Sequence, residues 1–139
     1  MTNQIIDEEI AISAPVSAVW NALTNPDITE KYWGGTRIES DWKARSKIFY
    51  RRDGEIVDEH ELREIVPLRF LEHTFKPVFS EFQGEPPSLV SFLLREEGEI
   101  THLTILHRNF QPESKVYDAC SGGWPAILRS LKALLESDE

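Results

Sequence analysis

The C-terminal segment from Pro112 to Ser137 constrains the fold most, because it is the only long run with a clear helical period. Its apolar residues recur at spacings of three and four and form one stripe, while charged residues fall elsewhere around the helix. Burying such a stripe is worth about ten kcal/mol gross, so a surface of similar length must cover it. The stripe consists of Val116, Cys120, Trp124, Ile127, Leu128, Leu131, Leu134 and Leu135.

The residues before this segment supply that surface as a series of strands. Asp53-Gly54 is the strongest two-residue hairpin signal in the chain, and Glu97-Gly98 predicts another hairpin. Consecutive strands joined by tight turns predict an antiparallel sheet of about six to seven strands, curved around the C-terminal helix in an α+β fold. The predicted strands are 4–13, 36–41, 45–52, 55–66, 69–76, 89–95 and 99–109.

Two short helices are predicted between the first strand and the second. Pro15 suits the first turn of one helix. Asn25-Pro26 has the chemistry of a second helix start, with an N-cap side chain followed by a proline at the first position. The second helix should end at Tyr32-Trp33, where Gly34-Gly35 follows.

Length and charge restrict the class of protein. Residues 1–139 fit one domain, and no apolar run approaches the roughly 18 residues of a membrane span. Without a basic and apolar leader at Met1 to Gln4, we expect a cytoplasmic protein. The net charge of −9 disfavours nucleic acid and anionic membranes as partners. Cys120 is the only cysteine, so it makes no internal disulfide, and its place on the stripe favours a core residue over a nucleophile.

A basic cluster interrupts this acidic composition within residues 43–52. One interpretation is a solvated hairpin whose charges discourage pairing between sheet edges, and the other is an anion-binding patch; we favour the first. The cluster consists of Lys43, Arg45, Lys47, Arg51 and Arg52.

Three of the four histidines fall on strand faces that alternation assigns to the interior. His60 shares a face with Ile56, Leu62 and Val66; His73 lies with Leu71 and Phe75; His107 lies with Leu103 and Ile105. Three histidines can hold a metal ion, but their spacing matches no metal motif. We therefore predict hydrogen-bonded histidines in a cavity, with a wrong face assignment as the alternative, and we expect no metal or cofactor. Nucleophile, phosphate and dinucleotide motifs are also missing from the sequence.

Several other residues allow a functional and a structural interpretation. Trp33 can stack on a flat ligand or close the core. Phe79 and Phe82 lie in a long loop, Pro77 to Ser88, which favours a lid or a dimer contact. Pro125 removes a helical hydrogen bond, which predicts a kink in the helix near Ser121. The structural interpretation of this kink is a bend that follows the sheet, and the functional interpretation is a hinge.

A set of landmarks in fixed order resembles the START-like superfamily of helix-grip domains. Within it, the closest resemblance is to the branch named after the activator of the heat-shock-protein-90 ATPase. The landmarks are Ala14-Pro15, Val19-Trp20, Ala22 to Pro26, Tyr32-Trp33-Gly34, Gly54, Thr101 to His107, Gly123-Trp124 and Leu128 to Leu131.

This resemblance implies a sheet that grips the C-terminal helix around a hydrophobic cavity. Relatives of this kind bind lipids, hormones or aromatic polyketides, and a few catalyse cyclisation. His107 matches a position that is often histidine in the superfamily, which makes it the best polar ligand contact. The eukaryotic co-chaperones carry a further large domain for which this chain has no room, so chaperone activation is not expected.

The sequence thus supports three hypotheses. The first is a noncatalytic domain that binds a small hydrophobic or aromatic molecule. The second is a cyclase-like or hydrolytic enzyme that uses His107 or His60 as acid or base. The third is an interaction module, a homodimer or a chaperone partner, that uses Phe79 and Phe82. The predicted cavity residues are Trp33, Tyr50, His60, His73, Phe92, Ile105, His107 and Trp124.

Overall fold

A computed structural model describes residues 4–76 and 84–137, and within these it has seven strands and three helices. The predicted order of elements is confirmed. The predicted lid residues Phe79 and Phe82 lie outside the described residues. The elements are β1 (Ile6–Ile12), α1 (Val16–Thr24), α2 (Pro26–Tyr32), β2 (Arg37–Ser40), β3 (Lys47–Arg52), β4 (Glu55–Val66), β5 (Phe70–Phe75), β6 (Ser88–Glu97), β7 (Ile100–Arg108) and α3 (Lys115–Leu135).

The strands form one antiparallel sheet in the order β1-β7-β6-β5-β4-β3-β2. The chain crosses the sheet consecutively from β2 to β7, and β1 pairs beside β7, with Ile6 opposite His107. The sheet curves around α3, which confirms the α+β helix-grip fold. The core therefore lies between one face of the sheet and the helices.

Helix α3 buries the predicted stripe in the groove of the sheet. Val116, Trp124, Leu128 and Leu131 are buried, and the other four stripe residues are partly buried against the same core. The helix continues through Pro125 to Leu135. The kink predicted near Ser121 stays a prediction.

A buried carboxylate fixes the start of α3. Glu85 Oε1 accepts a hydrogen bond of 2.5 Å from Ser114 Oγ, and Glu85 Oε2 accepts one of 2.7 Å from the backbone N–H of Lys115. Ser114 Oγ in turn accepts from the backbone N–H of Tyr117 at 2.9 Å. The negative charge lies at the positive end of the helix dipole, which stabilises the helix and fixes its direction across the sheet.

The predicted turns and caps agree with the structure in most places. Asp53 and Gly54 both have positive φ angles, 52° and 82°, as a type I′ hairpin requires. The side chain of Asn25 caps α2 by accepting a 2.9 Å hydrogen bond from the N–H of Asp27. The last hairpin is also present, but its turn residues follow Glu97, because Glu97 is still paired with Ile100.

Two β-bulges in β4 overturn part of the predicted face assignment. Ile56 and Val66 were expected to face the interior with His60, yet they are 39% and 40% exposed. The register shifts by one residue at Val57 and again at Arg63, each of which is left without a partner. A bulge reverses the alternation beyond it, so both ends of β4 turn their side chains the opposite way.

Two of the five residues of the basic cluster, Lys47 and Arg51, pair with acids from neighbouring strands. Lys47 forms an ion pair with Glu59, and Arg51 Nε lies 2.7 Å from Glu39 Oε1. Arg52 Nε donates a 2.7 Å hydrogen bond to the side chain of Thr36. These contacts agree with a solvated hairpin, and the anion-binding patch stays an alternative.

Candidate functional site

The interior of the grip is a continuous layer of aromatic and imidazole rings. The ring centroid of Trp33 lies 5.6 Å from those of Tyr50 and Trp124, in edge-to-face geometry. His60 stacks on Phe75 at 4.7 Å. Edge-to-face and offset contacts at these distances are favourable beyond simple area burial. All eight residues predicted to face the interior are buried: Trp33, Tyr50, His60, His73, Phe92, Ile105, His107 and Trp124.

One pocket of about 180 Å³ opens between β3, β4 and α3. Trp33, Tyr50 and Trp124 are the predicted cavity residues that line it. Its further apolar lining consists of Phe75, Val116, Ala119, Gly123 and Ile127, and its polar lining consists of Arg52, Asp58 and Cys120.

The other five predicted residues lie behind or beside this pocket. His73 and Phe92 border a second void of about 10 Å³, which has room for no more than a water molecule. His60, Ile105 and His107 are not among the lining residues of either space. Contact between any of the eight predicted residues and a ligand stays a prediction.

Both ring nitrogens of His107 are hydrogen-bonded within the protein. Trp124 Nε1 can only donate, so Nδ1 of His107 accepts that 3.0 Å bond and the neutral ring carries its proton on Nε2. Nε2 then donates to Ser88 Oγ at 2.7 Å, and Ser88 Oγ donates to the carbonyl of Phe75 at 3.3 Å. Burial, together with the neighbouring histidines, lowers the pKa of His107 to about 3. His107 thereby fixes the indole of Trp124 in the pocket wall.

His60 has the opposite arrangement, with one nitrogen satisfied and one without a partner. The backbone N–H of Lys76 donates to Nδ1 at 3.0 Å, so the neutral ring must carry its proton on Nε2. Nε2 is buried and makes no hydrogen bond within the described residues. Asp58 Oδ2 lies 3.6 Å away. Burial lowers the pKa of His60 to about 3, so the ring is neutral near pH 7.

His73 lies between these two histidines and is also neutral. Its Nδ1–H donates a 2.6 Å hydrogen bond to the carbonyl of Thr74, which can only accept. Burial and the proximity of His60 lower the pKa of His73 to about 3. Its ring stacks on His60 at a centroid distance of 5.1 Å.

Asp58 is the polar residue of the pocket that the sequence interpretation missed. It lies opposite Tyr50 in the β3–β4 register and is 8% exposed. Burial raises the pKa of Asp58 to about 7, although Arg52 opposes the shift. The alternation that turns His60 inward also turns Asp58 inward, so the signal was present, but a charged residue was not expected on an interior face.

The remaining polar groups of the pocket are protonated near pH 7. Burial raises the pKa of the Tyr50 hydroxyl well above 10, with Asp58 adding to the shift. Burial raises the pKa of the Cys120 thiol to about 12, which disfavours a thiolate nucleophile. Among the described residues, no group of three His, Cys, Asp or Glu side chains is placed to hold a metal ion.

The architecture, with one pocket between a curved sheet and its gripped helix, defines a helix-grip protein. The model of the family described as Activator of Hsp90 ATPase homolog 1-like protein matches residues 13–136, and the chain belongs to this family. A search among curated proteins finds no match.

Solved structures from several organisms share this fold. A Mesorhizobium loti protein has a TM-score of 0.80 at 24% identity, over 98% of this chain and 99% of its own. The Aha1 dimer of Colwellia psychrerythraea has a TM-score of 0.77 at 24% identity, over 96% of both chains. An HSP90 activator of Plasmodium falciparum has a TM-score of 0.78 at 20% identity, over 94% of this chain and 95% of its own. At these identities the likeness establishes the fold alone.

Within residues 4–76 and 84–137, no helix combines the length and the apolar character needed to cross a membrane.

Proposed function

We propose that this domain binds a small hydrophobic or aromatic molecule, without transforming it, in the pocket between β3, β4 and α3. The observation that carries the proposal is a mostly apolar pocket of about 180 Å³ beside an otherwise tightly packed aromatic core. A protein interior normally has few voids of this size, so one bounded by aromatic rings favours a ligand.

The dimensions of the pocket restrict the ligand to about one aromatic ring with small substituents. An engineered cavity of about 150 Å³ accommodates benzene, so the 180 Å³ pocket suits a molecule slightly larger than benzene. Trp33, Tyr50 and Trp124 would supply ring edges and faces to such a molecule.

The contacts of the histidines favour binding over acid–base catalysis. A general acid or base must have a nitrogen within reach of the reacting group. Both nitrogens of His107 are bonded to other side chains. Nδ1 of His60 accepts from the backbone, and its Nε2 faces Asp58. The enzyme hypothesis is therefore the weaker of the two.

Native mass spectrometry of the purified protein, followed by denaturing release, tests the proposal. We expect a reproducible extra mass of a small molecule. The Ala119→Trp variant should fill the pocket and lose that mass, because Ala119 lines the pocket from α3. The matched control is Ala126→Trp, which adds the same side chain at an exposed position of the same helix outside the pocket lining.

Two results would contradict the proposal. One is retention of the extra mass by Ala119→Trp, which would place the ligand elsewhere. The other is an unoccupied wild-type protein that also fails to bind benzene or toluene added at millimolar concentration.

A second candidate function is an interaction module, which the family and two relatives favour. The Plasmodium falciparum relative is an HSP90 activator, and the Colwellia psychrerythraea relative was solved as a dimer. This chain exposes an apolar row on the outer face of its sheet, where Val66, Phe70 and Leu93 are neighbours across three strands. We assign this row to a second copy of the chain.

Sedimentation velocity tests the second candidate. We expect a dimer that becomes a monomer in Leu93→Lys, since a charge in the apolar row disfavours burial. Ile100→Lys is the matched control, because Ile100 is equally exposed, at 39%, but lies outside the row. A monomeric wild-type protein would refute the assignment.

A further inference from the structure

The polar groups of the pocket are unusually poor in protein partners. Within the described residues, no hydrogen bond reaches the carboxyl oxygens of Asp58 or the hydroxyl of Tyr50. The Nε2–H of His60, next to Asp58, is also without a partner. Buried polar groups are normally satisfied, so the buried Nε2–H of His60, next to two polar groups that line the pocket without a protein partner, favours a partner from outside the chain.

These groups lie on adjacent strands and face the same way. Tyr50 and Asp58 are directly opposite each other in the β3–β4 register, which places their Cβ atoms about 4.5–5.5 Å apart. His60 follows Asp58 by two residues and lies opposite Ile48 on the same face. Tyr50 and Asp58 also both line the pocket, so their polar groups border the same space.

We propose that Asp58 accepts a hydrogen bond from the ligand of this pocket, and that the ligand is a small aromatic molecule carrying a hydroxyl group. The proposal rests on the function proposed above and narrows it to a phenol-like ligand. The ligand hydroxyl donates to Asp58, and its oxygen accepts from the Tyr50 hydroxyl. A hydroxyl group both donates and accepts, which matches this acceptor and donor pair.

His60 is a positioning residue in this arrangement. Its Nε2–H is 3.6 Å from Asp58 Oδ2, slightly too far for a hydrogen bond. A small rotation of the Asp58 side chain closes that gap and leaves the other carboxyl oxygen for the ligand. The bond from His60 stabilises the ionised carboxylate, which is the stronger acceptor.

The charges around the pocket give no net preference for an ionic ligand. Arg52 and Asp58 line the same pocket, so the attraction of one for an ion is offset by the repulsion of the other. A neutral hydroxyl group avoids the cost of placing a net charge in a poorly solvated site.

Among the groups facing this site, Asp58 alone changes charge near neutral pH. Tyr50 on β3, His60 on β4 and Cys120 on α3 all stay neutral, and Arg52 on β3 is the basic residue of the lining. The pKa of Asp58 is raised to about 7. The affinity for a hydroxyl donor should therefore fall as the pH is lowered through 7, while the affinity for an apolar ring should not.

The test compares the affinities of phenol, toluene, benzoate and benzylamine by ligand-observed NMR at about pH 8. We expect phenol to bind about tenfold more tightly than toluene, because a hydrogen bond to a charged acceptor supplies that factor. The preference should drop to about twofold in Asp58→Leu and stay at tenfold in Glu61→Leu. Glu61 is an exposed residue of the same strand, outside the pocket lining.

The pH dependence of the wild-type protein gives a second readout that needs no variant. The preference for phenol over toluene should fall severalfold between about pH 8 and about pH 6. His60→Phe should move the midpoint of this change to higher pH, because the carboxylate loses its supporting N–H. A purely structural role of His60 would leave the midpoint unchanged.

Each outcome decides between the two proposals. Failure of both phenol and toluene to bind refutes the aromatic pocket itself. Equal affinities for the two refute the hydroxyl anchor and leave the pocket standing. Tighter binding of benzoate or benzylamine than of phenol also overturns the hydroxyl class. If Asp58→Leu binds neither ring, the variant has not folded, and the wild-type pH profile decides.

Discussion

The two sides of the ring layer differ in how their polar groups are satisfied. Around His107, each nitrogen has a protein partner, and the chain of bonds runs from Trp124 through Ser88 to a backbone carbonyl. Around His60, one nitrogen and the neighbouring carboxyl of Asp58 have no such bond among the described residues. The two imidazole rings are both buried, so burial of the ring does not distinguish them.

The difference separates a structural histidine from a candidate site. A satisfied buried network stabilises the fold, whereas an unsatisfied group lowers stability unless something else binds to it. Residues selected for binding often carry such a penalty. The stability of variants on each side of the layer measures this penalty.

The largest expected effect is a loss of stability on acidification. The pKa of each of His60, His73 and His107 is about 3 in the folded protein and about 6.5 when unfolded, so the unfolded chain binds more protons between these values. Asp58, with a raised pKa of about 7, acts in the opposite direction. Three histidines outweigh one carboxyl, so the free energy of unfolding should fall by about 2–3 kcal/mol per pH unit below about pH 6.5.

Urea unfolding at intervals between about pH 7 and about pH 5 measures this slope. A flat profile would show that the buried histidines are not neutral in the folded protein. The same experiment on His107→Phe should give a slope smaller by the contribution of one group, about 1.4 kcal/mol per pH unit.

His107→Phe should give the largest loss of stability among single substitutions in the two regions. It keeps a ring in place but leaves Trp124 Nε1–H without its acceptor and Ser88 without its donor. We expect a loss of about 2–4 kcal/mol in urea unfolding at neutral pH. A loss below about 1 kcal/mol would show that the network contributes little.

Asp58→Asn should stabilise the protein, in contrast to substitutions at His107. Above pH 7 the folded protein holds a poorly solvated carboxylate, which the amide removes, so we expect a gain of about 2 kcal/mol at about pH 8. The gain should shrink as the pH falls towards 4, because the folded protein then binds a proton at Asp58. Thermal unfolding at two pH values checks both the sign and the trend. If the variant and the wild type were equally stable at both pH values, the buried carboxylate of Asp58 would not destabilise the folded protein.

His60→Phe should have the smallest effect, below about 1 kcal/mol at neutral pH. The variant loses the acceptor for the Lys76 N–H but also removes the unpaired Nε2–H, and these two changes oppose each other. The phenyl ring retains the stacking on Phe75 and His73. The difference between the stability losses of His60→Phe and His107→Phe compares the two regions directly. Equal losses in the two variants would remove the distinction.

The local chemistry of the chain was enough to predict most of the fold. The helical period of the C-terminal stripe, the hairpin at Asp53-Gly54 and the cap at Asn25 depend on neighbours within a few residues. The interior positions of His73 and His107 followed from alternation along β5 and β7, where no bulge intervenes.

The candidate site was predicted only in part. Trp33, Tyr50 and Trp124 were expected around a cavity and line the pocket. Asp58 was not predicted, although it shares the alternation of His60, because a charged residue was not expected on an interior face. The two β-bulges of β4 explain why Ile56 and Val66 face outwards.

The sequence alone therefore determined which segments become helices and strands and, where no bulge intervenes, which faces they bury, because these properties follow from periodicity and turn chemistry. Only the tertiary structure decided which buried side chains have partners. Trp124 and Ser88 reach His107 from other elements, far away along the chain, whereas no described residue comes close enough to satisfy His60 Nε2. Hydrogen bonds need atoms within about 3 Å, and a linear pattern does not specify distances between elements.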